Sequence, residues 1–148
     1  MNGNGERILV GVDGSQGSTA ALRWALRYAG NCGGNVTALI AWAHPATYGL
    51  GAPMPEEDVD KAAQIALSNA VTESTSELHS EVPVAQEVVR GPAARALVDE
   101  AAAADLLVVG SHGHGGFFGA MLGSVSQQCV HHAPCPVVVV RHGRTRES

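Results

Sequence analysis

The chain has 148 residues, 45% of them hydrophobic and 16% charged, a composition typical of a packed globular protein of one domain. Its formal net charge is −5 and Lys61 is its only lysine, which argues against the basic surface that nucleic acid binding requires. No apolar run is long enough to span a bilayer, and the N-terminus lacks a signal-peptide core. Three cysteines without CxxC spacing fit reduced thiols, so we expect a cytoplasmic protein with no nucleic acid or membrane partner.

The first half of the chain alternates strand and helix signals. An apolar run at 7–13 ends in the turn and cap residues Asp13, Gly14 and Ser15. Apolar residues recurring at three and four predict a helix over 19–28, and a continuous apolar run predicts a buried parallel strand over 36–43. A loop rich in proline and glycine follows, where a ligand lid could sit. An acidic first turn then opens a helix predicted from Glu56 to about Ser80.

The second half continues the alternation. Strands are predicted over 82–90, 105–110 and 136–141, with helices over 93–104 and 124–132. Residues 1–6 and 142–148 are expected to be flexible. Strands alternating with helices along the whole length predict an α/β fold, a doubly wound five-stranded parallel sheet with helices on both faces, in a single domain over 1–148.

The strand at 105–110 runs into a loop in which five of the ten residues from Gly110 to Gly119 are glycine. Glycine lets main-chain N–H groups approach a ligand closely, and a helix starting near Ser124 adds partial positive charge, so the segment suits phosphate. Neither a P-loop lysine nor a strict G-x-G-x-x-G fingerprint is present. The expected phosphate contacts are N–H groups of Gly113 to Gly116, Ser124 and Val125, and the hydroxyls of Ser124 and Ser126.

The spacing Gly110-x2-Gly113-x9-Gly123-Ser124 resembles the G-x2-G-x9-G-[S/T] motif of the ATP-binding branch of the universal stress protein family. Residues 8–15 and 135–140 extend the resemblance over nearly the whole chain. It implies strand order 3-2-1-4-5, in which the carboxyl ends of strands 1 and 4 border the crevice where open α/β sheets bind ligands. It also implies a regulatory ATP-binding module of the stress response, with Mg²⁺ as the accompanying ion.

The resemblance also implies site residues. Asp13 matches an aspartate found at the ribose and phosphates or their metal ion, and its carboxylate suits Mg²⁺, although capping the next helix is a simpler role. Ala41 matches the position that contacts adenine through its main chain, and the neighbouring Trp42 fits a core or rim role. His112 and His114 stand where many members carry arginine or another residue. The expected binding residues are Gly11, Val12, Asp13, Ala41, Gly110, Ser111, His112, Gly113, His114, Gly115, Gly116, Gly123, Ser124, Val125 and Ser126.

Other interpretations of these segments stay open. The glycine loop is also compatible with a flexible surface loop that binds nothing. A zinc site would have to be built from His112, His114, His131 and His132. These histidines lack ligand spacing on one helical face, so exposed imidazoles without a metal ion are the simpler expectation. No serine lies in a G-x-S-x-G turn, which argues against a hydrolase triad, and Cys129 and Cys135 fit buried packing better than a redox pair.

Three hypotheses assign different functions to the crevice. The first hypothesis is regulatory binding of ATP, with slow or absent hydrolysis and an unknown protein partner. The alternative is a slow ATPase or nucleotidyl-transfer enzyme in which Asp13 organises the metal ion, and it is disfavoured because no arginine finger or water-orienting base is evident near the loop. A scaffold without nucleotide is the third, and the intact glycine motif argues against it.

The last strand is a sheet edge in the order that the resemblance implies. Its four valines, Val137, Val138, Val139 and Val140, carry no charge or central proline that would protect the edge from pairing. Related proteins commonly set two such strands antiparallel about a two-fold axis, so the resemblance implies a homodimer through this strand. The alternative is that the valines belong to the core and that residues 142–148 cover the edge.

Overall fold

The computed structural model describes residues 5–42, 55–111 and 123–141 of the chain. Within these ranges, strands and helices alternate as the sequence predicts. The elements are β1 (Arg7–Gly11), α1 (Gln16–Cys32), β2 (Asn35–Trp42), α2 (Glu56–Leu78), β3 (Val84–Arg90), α3 (Ala93–Ala101), β4 (Leu106–Gly110), α4 (Ser124–His132) and β5 (Val137–Val140).

The five strands form one parallel sheet in the order β3-β2-β1-β4-β5, which confirms the predicted fold class and strand order. The central strand is β1, where Ile8 lies opposite Val36 of β2 on one side and Leu106 of β4 on the other. The chain steps outward from β1 through β2 to β3, then returns to β4 on the opposite side. Its direction of winding therefore reverses between β1 and β4, and open α/β sheets bind ligands in the crevice outside the carboxyl ends of the strands at such a point.

Apolar side chains cover both faces of the sheet, because successive residues of a buried strand point to opposite sides. Ile8 and Val10 of β1 pack with α1 and α2, whereas Leu9 between them packs with α3 and α4. The helices that lie on the sheet contribute alanines as well as leucines, which lets them approach closely. The buried apolar side chains of α1 are those whose spacing predicts this helix, Ala21, Leu22, Ala25, Leu26 and Ala29.

Helix α1 is longer than its apolar pattern. The Oγ atom of Ser15 accepts a hydrogen bond from Ser18 N at 3.2 Å and caps the first turn, and the helix ends where Gly33 takes a φ of 74°. Gln16 and Asn31 are exposed, so the end turns carry no apolar periodicity for the sequence to reveal. Helix α4, in contrast, has the bounds predicted for it.

Some of the remaining boundaries match the predictions, such as the start of α2 at Glu56 and the end of β4 at Gly110, and others differ by a few residues. Strand β1 ends at Gly11 because Asp13 already belongs to a turn, and α2 ends at Leu78 because His79 takes a left-handed φ of 50°. Near the N-terminus, Glu6 accepts hydrogen bonds from Asn35 N at 2.9 Å and from the Tyr28 hydroxyl at 2.8 Å. Among the described helices, none combines the length and the apolar character needed to cross a membrane.

Candidate functional site

The chain turns sharply where β1 ends. Val12 N donates to Leu39 O at 2.8 Å, and Gly14 then takes a φ of 85°. The Asp13 carboxylate is exposed at the crevice, and its Oδ1 atom accepts from Ser15 N at 2.9 Å. Asp13 therefore holds the turn that opens α1 and at the same time places negative charge at the end of the central strand.

The end of β2 turns main-chain groups toward the same place. Residues of a strand direct their N–H and C=O groups alternately to the two neighbouring strands. Leu39 O accepts from Val12 N on the β1 side, whereas Trp42 O accepts from Gly91 N on the β3 side. Ala41 lies two residues after Leu39, so its main-chain groups point to the same side as those of Leu39. The pairing of β1 with β2 extends only as far as Leu39. The N–H and C=O groups of Ala41 therefore face the crevice beyond the end of that ladder.

The two described ends of the glycine loop lie against each other. Gly123 N donates to Ser111 O at 2.7 Å, and the buried hydroxyl of Ser126 lies 3.2 Å from Ser111 O and 3.0 Å from Gly123 O. Ser111 N donates to Val140 O at 2.9 Å, which ties the loop to β5. The Ser126 hydroxyl, expected at phosphate, thus bonds to the loop ends in this structure.

Helix α4 begins directly after Gly123. Its N-cap residue Gly123 has a φ of −68° and a ψ of 165° and offers no side-chain cap, and no acidic residue lies in the first turn. Ser124 is exposed and Val125 is half-buried. First-turn N–H groups at a helix start suit an anion. Because the φ of Gly123 is ordinary for any residue, conformation alone does not require glycine there.

The structure thus brings together the ends of β1, β2 and β4 and the start of α4. The expected binding residues in the middle of the glycine loop, His112, Gly113, His114, Gly115 and Gly116, lie outside the described residues. Of the four histidines considered for zinc, His131 and His132 are exposed on the last turn of α4. No group of three or more metal-ligating side chains occurs within ranges 5–42, 55–111 and 123–141.

The thiols near α4 are sheltered. Cys129 is fully buried in the core, and burial raises its pKa to about 11. Burial, with a smaller contribution from Asp105, also raises the pKa of the half-buried Cys135. Raised pKa values leave little thiolate at neutral pH, so both cysteines have the properties of packing residues.

A cluster of polar side chains beside the site, the Trp42 cluster, went unnoticed in the sequence. It consists of Trp42, Glu56, Asp60 and Arg90. Trp42 Nε1 donates to Asp60 Oδ1 at 2.7 Å, and the guanidinium carbon of Arg90 lies 5.5 Å from the centre of the indole ring. These side chains come from β2, α2 and β3, and no local spacing pattern relates Trp42 and Arg90 to the two carboxylates of α2.

Comparison with known proteins finds relatives that all belong to one family. The family model described as the universal stress protein family matches residues 5–141. Universal stress protein Rv2005c of Mycobacterium tuberculosis is 38% identical over 134 residues, which are 90% of this chain and 45% of that protein. This chain therefore spans about half the length of the curated relatives it matches.

Solved structures agree with this result. A universal stress protein in complex with cAMP superposes with a TM-score of 0.67 at 25% identity, covering 92% of this chain and 96% of that one. The Archaeoglobus fulgidus universal stress protein in complex with dAMP superposes with a TM-score of 0.64 at 23% identity, covering 91% and 97%. The match to the family model and the 38% identity to Rv2005c decide the assignment. This chain belongs to the universal stress protein family.

Proposed function

We propose that this chain is a regulatory module that binds ATP together with Mg²⁺ in the crevice at the carboxyl ends of β1 and β4. One observation carries the proposal. The turn at Asp13 lies between the main-chain groups of Ala41, which face the crevice, and the start of α4, which has no side-chain cap. A base, a ribose and a phosphate chain find complementary groups in that order.

The main chain of Ala41 suits adenine. Its C=O group can accept from the exocyclic amine of the base, and its N–H group can donate to the neighbouring ring nitrogen. Backbone groups are well suited to reading a base because they need little side-chain ordering on binding. The complexes of related proteins with cAMP and dAMP support an adenine nucleotide as the ligand class.

The phosphates and the ion would lie toward β4. First-turn N–H groups at Ser124 and Val125 suit the phosphate oxygens, and Gly11 and Val12 offer backbone beside Asp13. The exposed carboxylate of Asp13 fits Mg²⁺, which typically takes one or two carboxylates along with substrate phosphates. When bound, the ion neutralises phosphate charge, and this chain's own contribution is to orient the nucleotide.

The proposed activity is ATP binding with slow or absent hydrolysis. A protein partner responds to the ATP-bound chain during stress. A slow ATPase or nucleotidyl-transfer enzyme is the alternative, and Asp13 at the crevice is the observation that favours it. Radiolabelled ATP separates the two activities. We expect turnover well below about 1 per second, whereas faster turnover that Asp13→Ala abolishes would establish the enzyme.

A homodimer through β5 and a cytoplasmic location complete the proposal. The four valines of β5 are half-buried, whereas Leu107 to Val109 of the neighbouring β4 are buried. Within the described residues no other strand pairs with the outer side of β5, which supports pairing with a second copy there. The three free cysteines support a reducing compartment.

The nucleotide can be identified directly. Freshly purified protein is denatured, and the released small molecules are separated by chromatography and identified by their mass. We expect ATP, or its hydrolysis products, close to stoichiometric with protein. A protein that releases no nucleotide and binds none in subsequent titration with Mg²⁺ and ATP would contradict the proposal.

A further inference from the structure

The Trp42 cluster joins three elements next to the end of β2. The indole N–H of Trp42 donates to Asp60 of α2, and the Arg90 guanidinium of β3 lies over the same ring. Arg90 Nη1 also lies 2.9 Å from Glu56 Oε1, at the start of α2. Trp42 at the end of β2 and Glu56 at the start of α2 are thus linked through the side chain of Arg90.

The contacts in this cluster differ in strength. The Arg90–Glu56 ion pair is more than half exposed on both side chains, and such pairs contribute little. The bond from the indole N–H to Asp60 is short, partly buried and made to a charged acceptor, which places it among the stronger hydrogen bonds. Asp60 is therefore the group that does most to fix the Trp42 side chain.

Fixing Trp42 also fixes the peptide group before it. The C=O of Ala41 and the N–H of Trp42 belong to one planar unit, so neither can turn without the other. On its far side, Trp42 O accepts from Gly91 N at 2.7 Å. Because the side chain and the carbonyl of Trp42 are both fixed, the carbonyl of Ala41 is held in one orientation, toward the crevice.

We propose that Asp60 and Arg90, acting through Trp42, are positioning residues that set the base selectivity of the nucleotide site. This inference rests on the proposed function, because it concerns how Ala41 presents its main chain to the base. Adenine offers an amine donor beside a ring acceptor, whereas hypoxanthine offers a carbonyl acceptor beside a ring N–H donor. When the C=O of Ala41 is fixed beside its N–H, the two groups distinguish these two edges, and a carbonyl free to tilt does so less well.

The experiment compares ATP with inosine triphosphate, the same nucleotide with hypoxanthine as base. Affinities of both are measured by calorimetry with Mg²⁺ for the wild type, Asp60→Ala and Asp60→Asn. Asparagine keeps an oxygen acceptor for the indole and removes only the charge. The matched control is Asp99→Ala, which removes an exposed carboxylate paired with Arg95 on α3.

We expect Asp60→Ala to lower the preference for ATP over inosine triphosphate by about tenfold, the effect of one well-placed hydrogen bond. Asp60→Asn should keep the preference within roughly threefold of wild type, and Asp99→Ala should leave it unchanged. Trp42→Phe keeps an aromatic ring for Arg90 but lacks the N–H donor, so it should reproduce the effect of Asp60→Ala.

If Asp60→Ala weakened the binding of ATP and of inosine triphosphate equally, or left the ratio of the two affinities unchanged, the positioning role would be overturned. The proposal that the chain binds ATP would still stand. A wild type that binds neither nucleotide would contradict the proposed function as well. A readout without nucleotide separates these cases. The chain has two tryptophans, so a Trp24→Phe background leaves only Trp42 to emit. In that background Asp60→Ala should shift the emission of Trp42, whereas Asp60→Asn should leave it nearly unchanged. Unchanged emission in Asp60→Ala would refute the role of Asp60 in fixing Trp42.

Discussion

A Cβ atom added to Gly110 would lie 2.7 Å from the carbonyl oxygen of Gly17. The end of β4 therefore touches the main chain in the first turn of α1 with no room for a side chain. Gly110 opens the glycine loop and Gly17 follows the turn at Asp13, so this contact sets the distance between the two sides of the crevice. Close backbone packing here is a reason for glycine that is independent of any ligand.

Gly110→Ala should consequently destabilise the fold. The obstacle is backbone, which cannot rotate away, and we expect a loss of about 1–3 kcal/mol in the free energy of unfolding. Gly11→Ala is the matched control, because its added Cβ would meet the Leu97 Cδ1 methyl at 2.9 Å, a side-chain group that can move. Urea denaturation of both variants tests this, and a smaller loss for Gly110→Ala than for Gly11→Ala would contradict the packing argument.

Asp13 should show two separable roles. Asp13→Asn retains an oxygen that can accept from Ser15 N, so we expect nearly wild-type stability, whereas Asp13→Ala should lose about 1 kcal/mol. Both variants lack the negative charge and should lose the increase in ATP affinity that Mg²⁺ provides. Calorimetric titrations with and without Mg²⁺ measure the second effect. Wild-type dependence on Mg²⁺ in Asp13→Asn would show that the carboxylate does not serve the ion.

Much of this architecture was predictable from local pattern. Alternating apolar runs and periodic segments defined the elements, and α4 has the predicted bounds because Gly123 and Ser124 mark its start. The resemblance to the family supplied the strand order. The contact between Gly17 and Gly110 and the bond between Trp42 and Asp60 were not predictable, because each joins residues that only the tertiary fold brings together.

The hydrogen bonds between β4 and β5 show which residues of β5 face away from the sheet. Leu107 N donates to Pro136 O and Ser111 N donates to Val140 O, so alternate residues of β5 face β4 and the main chain of Val139 faces outward. Val139→Pro thus removes an outer donor without breaking the β4 ladder, and it should yield a folded monomer.

Gln86→Pro is the control for this test. Pro83 O and Gly91 N bond to β2, so Gln86 faces outward on the opposite edge strand, β3. The Gln86→Pro substitution should therefore leave the dimer intact. Light scattering at tens of micromolar measures both masses. A monomeric wild type, or a folded Val139→Pro protein that remains dimeric, would rule out β5 as the interface.

The buried thiol predicts a pH dependence. Burial raises the pKa of Cys129 in the folded chain to about 11 from an ordinary value of 9.0. Above pH 9 the unfolded chain ionises first, so this contribution to stability is complete below pH 9 and is lost as pH rises toward 11. Unfolding free energies measured across this range should fall more steeply for the wild type than for Cys129→Ala. Equal slopes would show that the thiol is not sheltered.

The most direct test of the central claim is a calorimetric titration of ATP with Mg²⁺ into the wild type and into Gly123→Ala and Gly113→Ala, freed of any nucleotide carried through purification. Gly123 has a backbone conformation that alanine adopts readily, so loss of affinity there would report close approach of phosphate and not strain. We predict wild-type binding near one nucleotide per chain, weakened at least tenfold in Gly123→Ala with unchanged unfolding free energy. Unchanged affinity in both variants, or no binding by the wild type, would contradict the assignment of the site.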